Sequence, residues 1–250
     1  TKPSLDQVNP ELDSRFIKLD FDNETSFDGW VTLGSLGNKM KIVLPLKSTS
    51  HFNKLQGCLK QGMRLSNKNI TLMKEEEVKE RESGKTLGLD IGATTLASLS
   101  DDHVTTKDNH GHDLNSINKS LSKKKRGSKS FARTQTQRKH YVNWCVNRIN
   151  FDDVKELKLE KIKNLKRGRN VGRYLNHWTY TEIQGKLEQK CESLGVQVTY
   201  VSPTYTSQRC SSCGWVRSSN RKRKLFKCDS CGFHLDADLN ASRNIATPLR

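Results

Sequence analysis

Ile17, Leu19 and Phe21 alternate with Lys18 and Asp20, the period-two pattern of a strand with one buried face. Similar runs from Trp30 to Leu33, Lys41 to Leu46 and Asn69 to Met73 predict further short strands. Gly and Asn turns separate them, which suggests a small barrel or an open antiparallel sheet. A dense run of charge from Glu75 to Gly84 then reads as a linker.

The texture changes beyond it. Thr86 to Asp90 is an apolar strand ending in a carboxylate, Gly92 allows a tight turn, and Thr95 to Leu99 returns as a second strand. A third strand is expected from Val104 to Thr106. Residues 114–151 contain no acid but ten Lys or Arg; within them Ser122 to Ser130 reads as flexible and Arg133 to Ile149 as helical. Val154 to Glu160 is another strand. Tyr180, Ile183, Leu187, Cys191 and Leu194 recur at helical spacing, with Gly195 as the stop. A strand from Gly195 to Ser202, a cysteine-bearing module and a last helix from Asp238 to Ile245 complete the chain. This order predicts an α/β, ribonuclease H-like layer with its carboxylates gathered at one end of the sheet, an analogy that leaves the chemistry to be argued from residues.

Charge changes the picture. The 250 residues carry 44 Lys and Arg against 27 Asp and Glu, a formal charge of +17, with 33% hydrophobic residues and a mean hydropathy of -0.78. Self-repulsion of that size calls for an anionic partner, and phosphate backbones are the usual one. No apolar run reaches the roughly 18 to 20 residues of a transmembrane helix, and no signal-peptide pattern opens the chain. No membrane partner is expected, and the cytoplasm or nucleoid is the expected location. Cysteines there stay reduced, so clustered ones point to metal. Cys58, Cys145 and Cys191 are isolated and are expected to be small buried groups.

Cys210-Ser-Ser-Cys213-Gly and Cys228-Asp-Ser-Cys231-Gly are two CxxC knuckles separated by 14 residues. Each offers two thiolates and a Gly that lets the backbone curl round the sulfurs. Two knuckles complete a closed tetrahedral site, so one structural zinc is expected. Trp215 and Phe226 are expected to cover it. The insert is basic through Arg217, Arg221, Lys222, Arg223 and Lys224, which suggests a surface facing nucleic acid.

Three acids carry the chemistry. Asp90 stands in Leu87-Gly-Leu-Asp90-Ile-Gly92, where the plain reading is a turn aspartate and a rival one the phosphate loop of actin-like sugar kinases. Glu160 ends its strand, with Glu156 as competitor. Asp236 and Asp238 open the last helix, where N-capping is the plain reading. First strand, fourth strand and last helix are neighbours in the expected fold, so Asp90, Glu160 and Asp238 would converge. Two magnesium or manganese ions held by such acids, roughly 3.5 to 4 Å apart, would activate water against a phosphodiester. Lys161 to Arg173 adds six cations and no anion directly after Glu160.

Leu87-Gly-Leu-Asp90-Ile-Gly92, Leu159-Glu160-Lys-Ile-Lys-Asn-Leu165, Thr206-Ser-Gln-Arg-Cys210-Ser-Ser-Cys213-Gly and Asp236-Ala-Asp238-Leu-Asn240-Ala-Ser-Arg-Asn244-Ile stand in this order. Over residues 86–246 the chain resembles the TnpB (OrfB) proteins of insertion sequences, the related compact type V CRISPR effectors and the eukaryotic Fanzor proteins. The resemblance implies a RuvC nuclease domain over residues 85–206 and 233–250, a zinc ribbon inserted at 207–232, and a wedge-like barrel over 1–84. It implies Asp90, Glu160 and Asp238 as the RuvC triad and the four cysteines as zinc ligands. It further implies a guide RNA that pairs with target DNA, which the RuvC site cuts. The expected nucleic-acid contacts are Lys123, Lys124, Lys125, Arg126, Arg133, Arg138, Lys166, Arg167, Arg169, Arg221 and Arg223. No recognition lobe is found before Asp90, so the expectation is either a missing upstream part or a minimal form needing more RNA or a second copy. Two alternatives remain: an RNA-guided repressor that binds without cutting, and a metal nuclease or transposase with no RNA.

Overall fold

In the computed structural model, residues 8–21, 26–35, 37–66, 69–162 and 180–248 are described. They divide into two compact units, Thr1–Glu77 and Val78–Arg250.

The described residues of the first unit form six strands and one short helix, α1 (Ser50–Lys54). β1 (Glu11–Leu12), β5 (Cys58–Leu65) and β6 (Ile70–Glu75) form one antiparallel sheet in the order β1-β5-β6. β2 (Ile17–Asp20), β3 (Gly29–Gly34) and β4 (Lys41–Leu46) form the other, in chain order. Ile17, Val31 and Met63 are buried together between the sheets, flanked by Leu12, Phe16 and Leu72. The hydrophobic alternation locates β2, β3, β4 and β6. It passes over β5, whose Lys60, Gln61 and Gly62 interrupt the apolar pattern and whose register shifts between Leu59 and Met63. Cys58 lies on that strand and is exposed, contrary to the buried role expected of it.

The second unit is built on a four-stranded sheet. Its strands are β7 (Lys85–Ile91), β8 (Ala97–Leu99), β9 (Val154–Glu160) and β10 (Gln197–Val201), in the order β10-β9-β7-β8. β7, β9 and β10 run parallel and β8 antiparallel to β7. The strand expected at Val104 to Thr106 is reduced to a bridge between Ser98 and Val104. This is the strand order of a ribonuclease H-like layer.

Two helices follow the sheet edge. α2 (Leu114–Lys123) starts at Asp113, whose carboxylate accepts from Ser116 N at 2.7 Å, and it buries Leu114, Ile117 and Leu121. α3 (Lys129–Arg148) is capped by Ser128 and buries Phe131, Tyr141, Val142 and Cys145. The basic stretch read as flexible from Ser122 to Ser130 is therefore ordered at both ends, leaving only residues 124–128 as a loop. α4 (Tyr180–Glu192) buries Tyr180, Ile183, Leu187 and Cys191 against the same core as the strand residues Leu87, Leu89, Leu157 and Leu159. Among the described residues no helix is long and apolar enough to cross a membrane.

The last helix, α5 (Ala237–Ala246), packs on β7. Gly88 permits it: a Cβ there would stand 2.2 Å from Ser242 O and 2.4 Å from Ala246 N. Lys158 Nζ, on neighbouring β9, donates to Ala246 O at 3.1 Å. Side chains alternate faces along a strand, so Gly88 with Asp90, and Lys158 with Glu160, share the face that α5 covers.

Candidate nuclease centre

Parallel register brings two acids level. Leu89 pairs with Leu159, so Asp90 and Glu160 follow side by side at the carboxyl ends of adjacent strands. Neighbouring strands lie about 4.8 Å apart. Asp238, in the first turn of α5, supplies the third charge. Burial first, then the charges of Glu160 and Asp238, push the Asp90 carboxyl up to about 7. Burial also raises Glu160, against the opposing effects of the Thr206 hydroxyl and Arg221. The nearby cations Arg221 and Lys224 only partly offset this burial and repulsion at Asp90.

Several neighbours hold these acids. Thr206 Oγ1 donates to Glu160 Oε1, and Tyr180 Oη donates to Glu160 O at 2.5 Å. Glu156 is engaged elsewhere, accepting from Thr86 Oγ1 at 2.9 Å and lying 3.7 Å from Lys158 Nζ. Asp236 is the cap of α5: its Oδ1 accepts from Asp238 N at 2.8 Å and from Leu239 N at 3.2 Å. Capping therefore occupies Asp236 and leaves the Asp238 carboxylate free to turn inward. It meets Arg221 Nη2 at 2.9 Å on Oδ1 and Lys224 Nζ on Oδ2.

The cysteine module is a three-stranded antiparallel sheet of β11 (Arg221–Lys222), β12 (Leu225–Lys227) and β13 (His234–Asp236). Gly214 N donates to Cys210 O and Gly232 N to Cys228 O, with φ of +80° and +74° at the two glycines. That backbone, unfavourable for other residues, turns each knuckle round its sulfurs. Cys210 and Cys231 Sγ lie 3.8 Å apart, Cys213 and Cys228 Sγ 3.6 Å, and all four within 4.8 Å. A zinc with bonds of about 2.3 Å sets tetrahedral sulfurs about 3.8 Å apart, so this donor set fits. Burial works to raise the Cys228 thiol, but the backbone amides of Cys231 and Ser230, together with the Cys213 and Cys231 side chains, bring it down to about 7. Phe226 covers the cluster as expected; Trp215 is half exposed and does not.

The module is fastened to α5 by residues of the quoted motifs to which the sequence reading gave no role. Asn240 Nδ2 donates to Arg209 O at 2.8 Å, and Ser211 N donates to Asn240 Oδ1 at 3.0 Å. Asn244 Nδ2 donates to Thr206 O at 2.8 Å and Arg209 O at 2.7 Å, while Arg209 Nε returns a bond to Asn244 Oδ1. Asn240 and Asn244 are buried one turn apart. Their i, i+4 spacing from one another was the available signal, but polar residues at that spacing ordinarily mark a solvated face.

The expected nucleic-acid contacts divide. Lys123, Lys125, Arg126 and Arg133 are exposed on the α2–α3 segment, and Arg223 on the cysteine module. Lys124 Nζ donates to Thr134 Oγ1. Arg138 is buried at 6% exposure in the field of Glu182 and offers no surface contact, because its position on α3 faces the core. Arg221 is turned to Asp238. Lys166, Arg167 and Arg169 lie outside the described residues.

The second unit is thus an α/β layer that brings three acids towards one end of its sheet, beside a four-cysteine module. Residues 180–245 match the family model described as Cas12f1-like, TNB domain. The chain is 39% identical over 115 residues to the CRISPR-associated endodeoxyribonuclease Cas12f1 of Sulfoacidibacillus thermotolerans, covering 45% of this chain and 26% of that protein. It is 36% identical over 80 residues to a TnpB-like protein of Methanocaldococcus jannaschii, covering 32% and 28% of the two chains. Over 211 residues it is 28% identical to the candidate RNA-guided DNA endonuclease InsQ of Escherichia coli K12, covering 70% and 52%. A solved Cas12f1 in complex with sgRNA and target DNA superposes with a TM-score of 0.54 at 17% identity, covering 99% of this chain and 63% of that one. The chain is therefore similar in sequence to TnpB-like and Cas12f1 proteins. The chain spans about a quarter of the length of the first relatives it matches.

Proposed function

We propose that the chain is the nuclease part of an RNA-guided DNA endonuclease, cutting target DNA by metal-assisted hydrolysis at a RuvC centre. The observation that carries this reading is the meeting of Asp90, Glu160 and Asp238 at one end of the sheet, under electrostatic strain that a cation relieves. In this reading the three carboxylates hold magnesium or manganese, whose chemistry is activation of water and stabilisation of the leaving oxygen. Thr206 and Tyr180 orient Glu160, and the Asp236 cap fixes the first turn of α5 beneath Asp238. The four cysteines hold one structural zinc in a ribbon spanning residues 207–232. Residues 85–206 and 233–250 form the RuvC domain, and residues 1–84 a wedge-like barrel that contacts RNA or DNA.

Guide RNA and target DNA as partners are supported by the net charge of +17 and by what the names of the relatives say of those proteins. The test is purification of the full chain after expression with the DNA that flanks its gene, sequencing of any bound RNA, and cleavage of matching DNA in magnesium. A discrete RNA and magnesium-dependent cutting, lost in Asp90→Ala, Glu160→Ala and Asp238→Ala with binding retained, is the expected result. Bound RNA without cutting replaces this reading by guided binding alone. Cutting without RNA replaces it by an unguided nuclease, and normal cutting by all three variants removes the RuvC assignment.

A further inference from the structure

Both oxygens of Asp238 are already taken by cations of the chain itself. Arg221 Nη2 holds Oδ1 at 2.9 Å and Lys224 Nζ holds Oδ2. Lys224 Nζ also donates to Thr95 Oγ1 at 3.1 Å, in the turn between β7, which ends just past Asp90, and β8. One ammonium thus bridges the segment after Asp90 to the carboxylate of Asp238. Among the described residues, the only group of three or more metal-capable side chains drawn within 4.8 Å is the cysteine cluster. The acids have converged electrostatically but not closed on a common point.

The two partners differ in how freely they can part. The Asp238 side chain is 9% exposed, whereas that of Lys224 is 50% exposed and sits in the two-residue turn joining β11 to β12. An ammonium on a flexible stem in that position leaves a carboxylate without burying its charge. The backbone at Lys224 is anchored separately, since Ala237 N donates to Lys224 O at 2.8 Å. Movement of the side chain therefore does not require movement of the hairpin.

We propose that Lys224 is a tethered counter-ion, neutralising Asp238 in the metal-free site and competing with a divalent cation for the same carboxylate. The inference rests on the metal-site reading given above. Metal entry requires Lys224 to swing outward, where Lys222 and Arg223 are also exposed and an arriving phosphate backbone offers the ammonium a replacement anion. Loading of metal and arrival of nucleic acid are coupled through this one side chain.

The test is manganese binding to the zinc-loaded full chain, followed by the paramagnetic resonance signal of free Mn2+, with no cleavage step involved. Wild type, Lys224→Met, Lys224→Arg and Asp90→Ala are compared, with zinc content and thermal unfolding recorded for each. Lys224→Met should bind manganese roughly fivefold more tightly, the upper end of what a half-exposed ion pair supplies. Lys224→Arg should stay near wild type because it keeps the charge. Unchanged or weaker binding in Lys224→Met, or tightening in both variants alike, overturns the inference while leaving an Asp90-dependent metal site intact. If Asp90→Ala does not alter manganese binding, the metal-site reading falls and the inference with it.

Discussion

A Cβ on Gly88 would stand 2.2 Å from the carbonyl oxygen of Ser242, so α5 rests directly on the backbone of β7. That contact sets how near Asp238 approaches Asp90. Gly88→Ala forces strand and helix apart against backbone atoms that have no rotamer to escape into. A loss of about 2 to 3 kcal/mol in unfolding free energy is expected from such overpacking, together with weaker metal binding. Urea denaturation checks it, and an unchanged midpoint refutes it.

Asp236 and Asp238 separate by role. Asp236→Ala removes the cap of α5 and should cost about 1 kcal/mol while cleavage persists. Asp238→Ala should end cleavage while the helix stays capped. The reverse pattern in paired stability and cleavage measurements makes Asp236 the ligand.

Asp90 makes the metal-free protein sensitive to pH. Its carboxyl is raised from 3.8 to about 7 on folding, so between those values the folded chain keeps a proton that the unfolded chain has lost. Stability therefore falls as pH rises through that window and the penalty is constant above it. In magnesium-free buffer Asp90→Asn should be more stable than wild type, by a margin that grows from pH 4 to 7 and then levels. A margin independent of pH contradicts the assignment.

Zinc should be bound once per chain and be needed for folding of the C-terminal module. Cys213→Ser or Cys228→Ser should abolish it, making residues 207–236 protease-sensitive, whereas Cys191→Ser should keep the full zinc content. Metal analysis with limited proteolysis decides, and a zinc-free wild type ends the assignment.

Nucleic-acid affinity should fall steeply with salt, since each phosphate contact releases a counterion. Replacing Lys123, Lys125, Arg126 and Arg133 by Ala should flatten that dependence. Arg138→Ala should instead lower stability, because its guanidinium is packed in the core. Affinity that is flat between low and moderate salt argues against a phosphate-held partner.

Periodicity located β7, β9 and α4 to within a residue or two, because each buries a regular apolar face in one core. β5 stayed hidden because exposed polar residues break its alternation, and the Val104 strand shrank to a bridge at the sheet edge. The cysteine spacing carried the four-cysteine cluster outright: CxxC pairs have few other uses, and the knuckle glycines are local in sequence.

The sequence by itself marked the candidate side chains, since Asp90, Glu160 and the four cysteines stand out by strand ends and by spacing. Only the tertiary structure distinguished Asp236 from Asp238, placing one at the helix cap and turning the other towards Arg221 and Lys224. Only it revealed that Asn240 and Asn244 fasten the ribbon and that Lys224 and Arg221 meet Asp238. These pairings join residues on separate elements, and their partners are fixed by how α5 lies on Gly88, a through-space distance with no local signature in the chain.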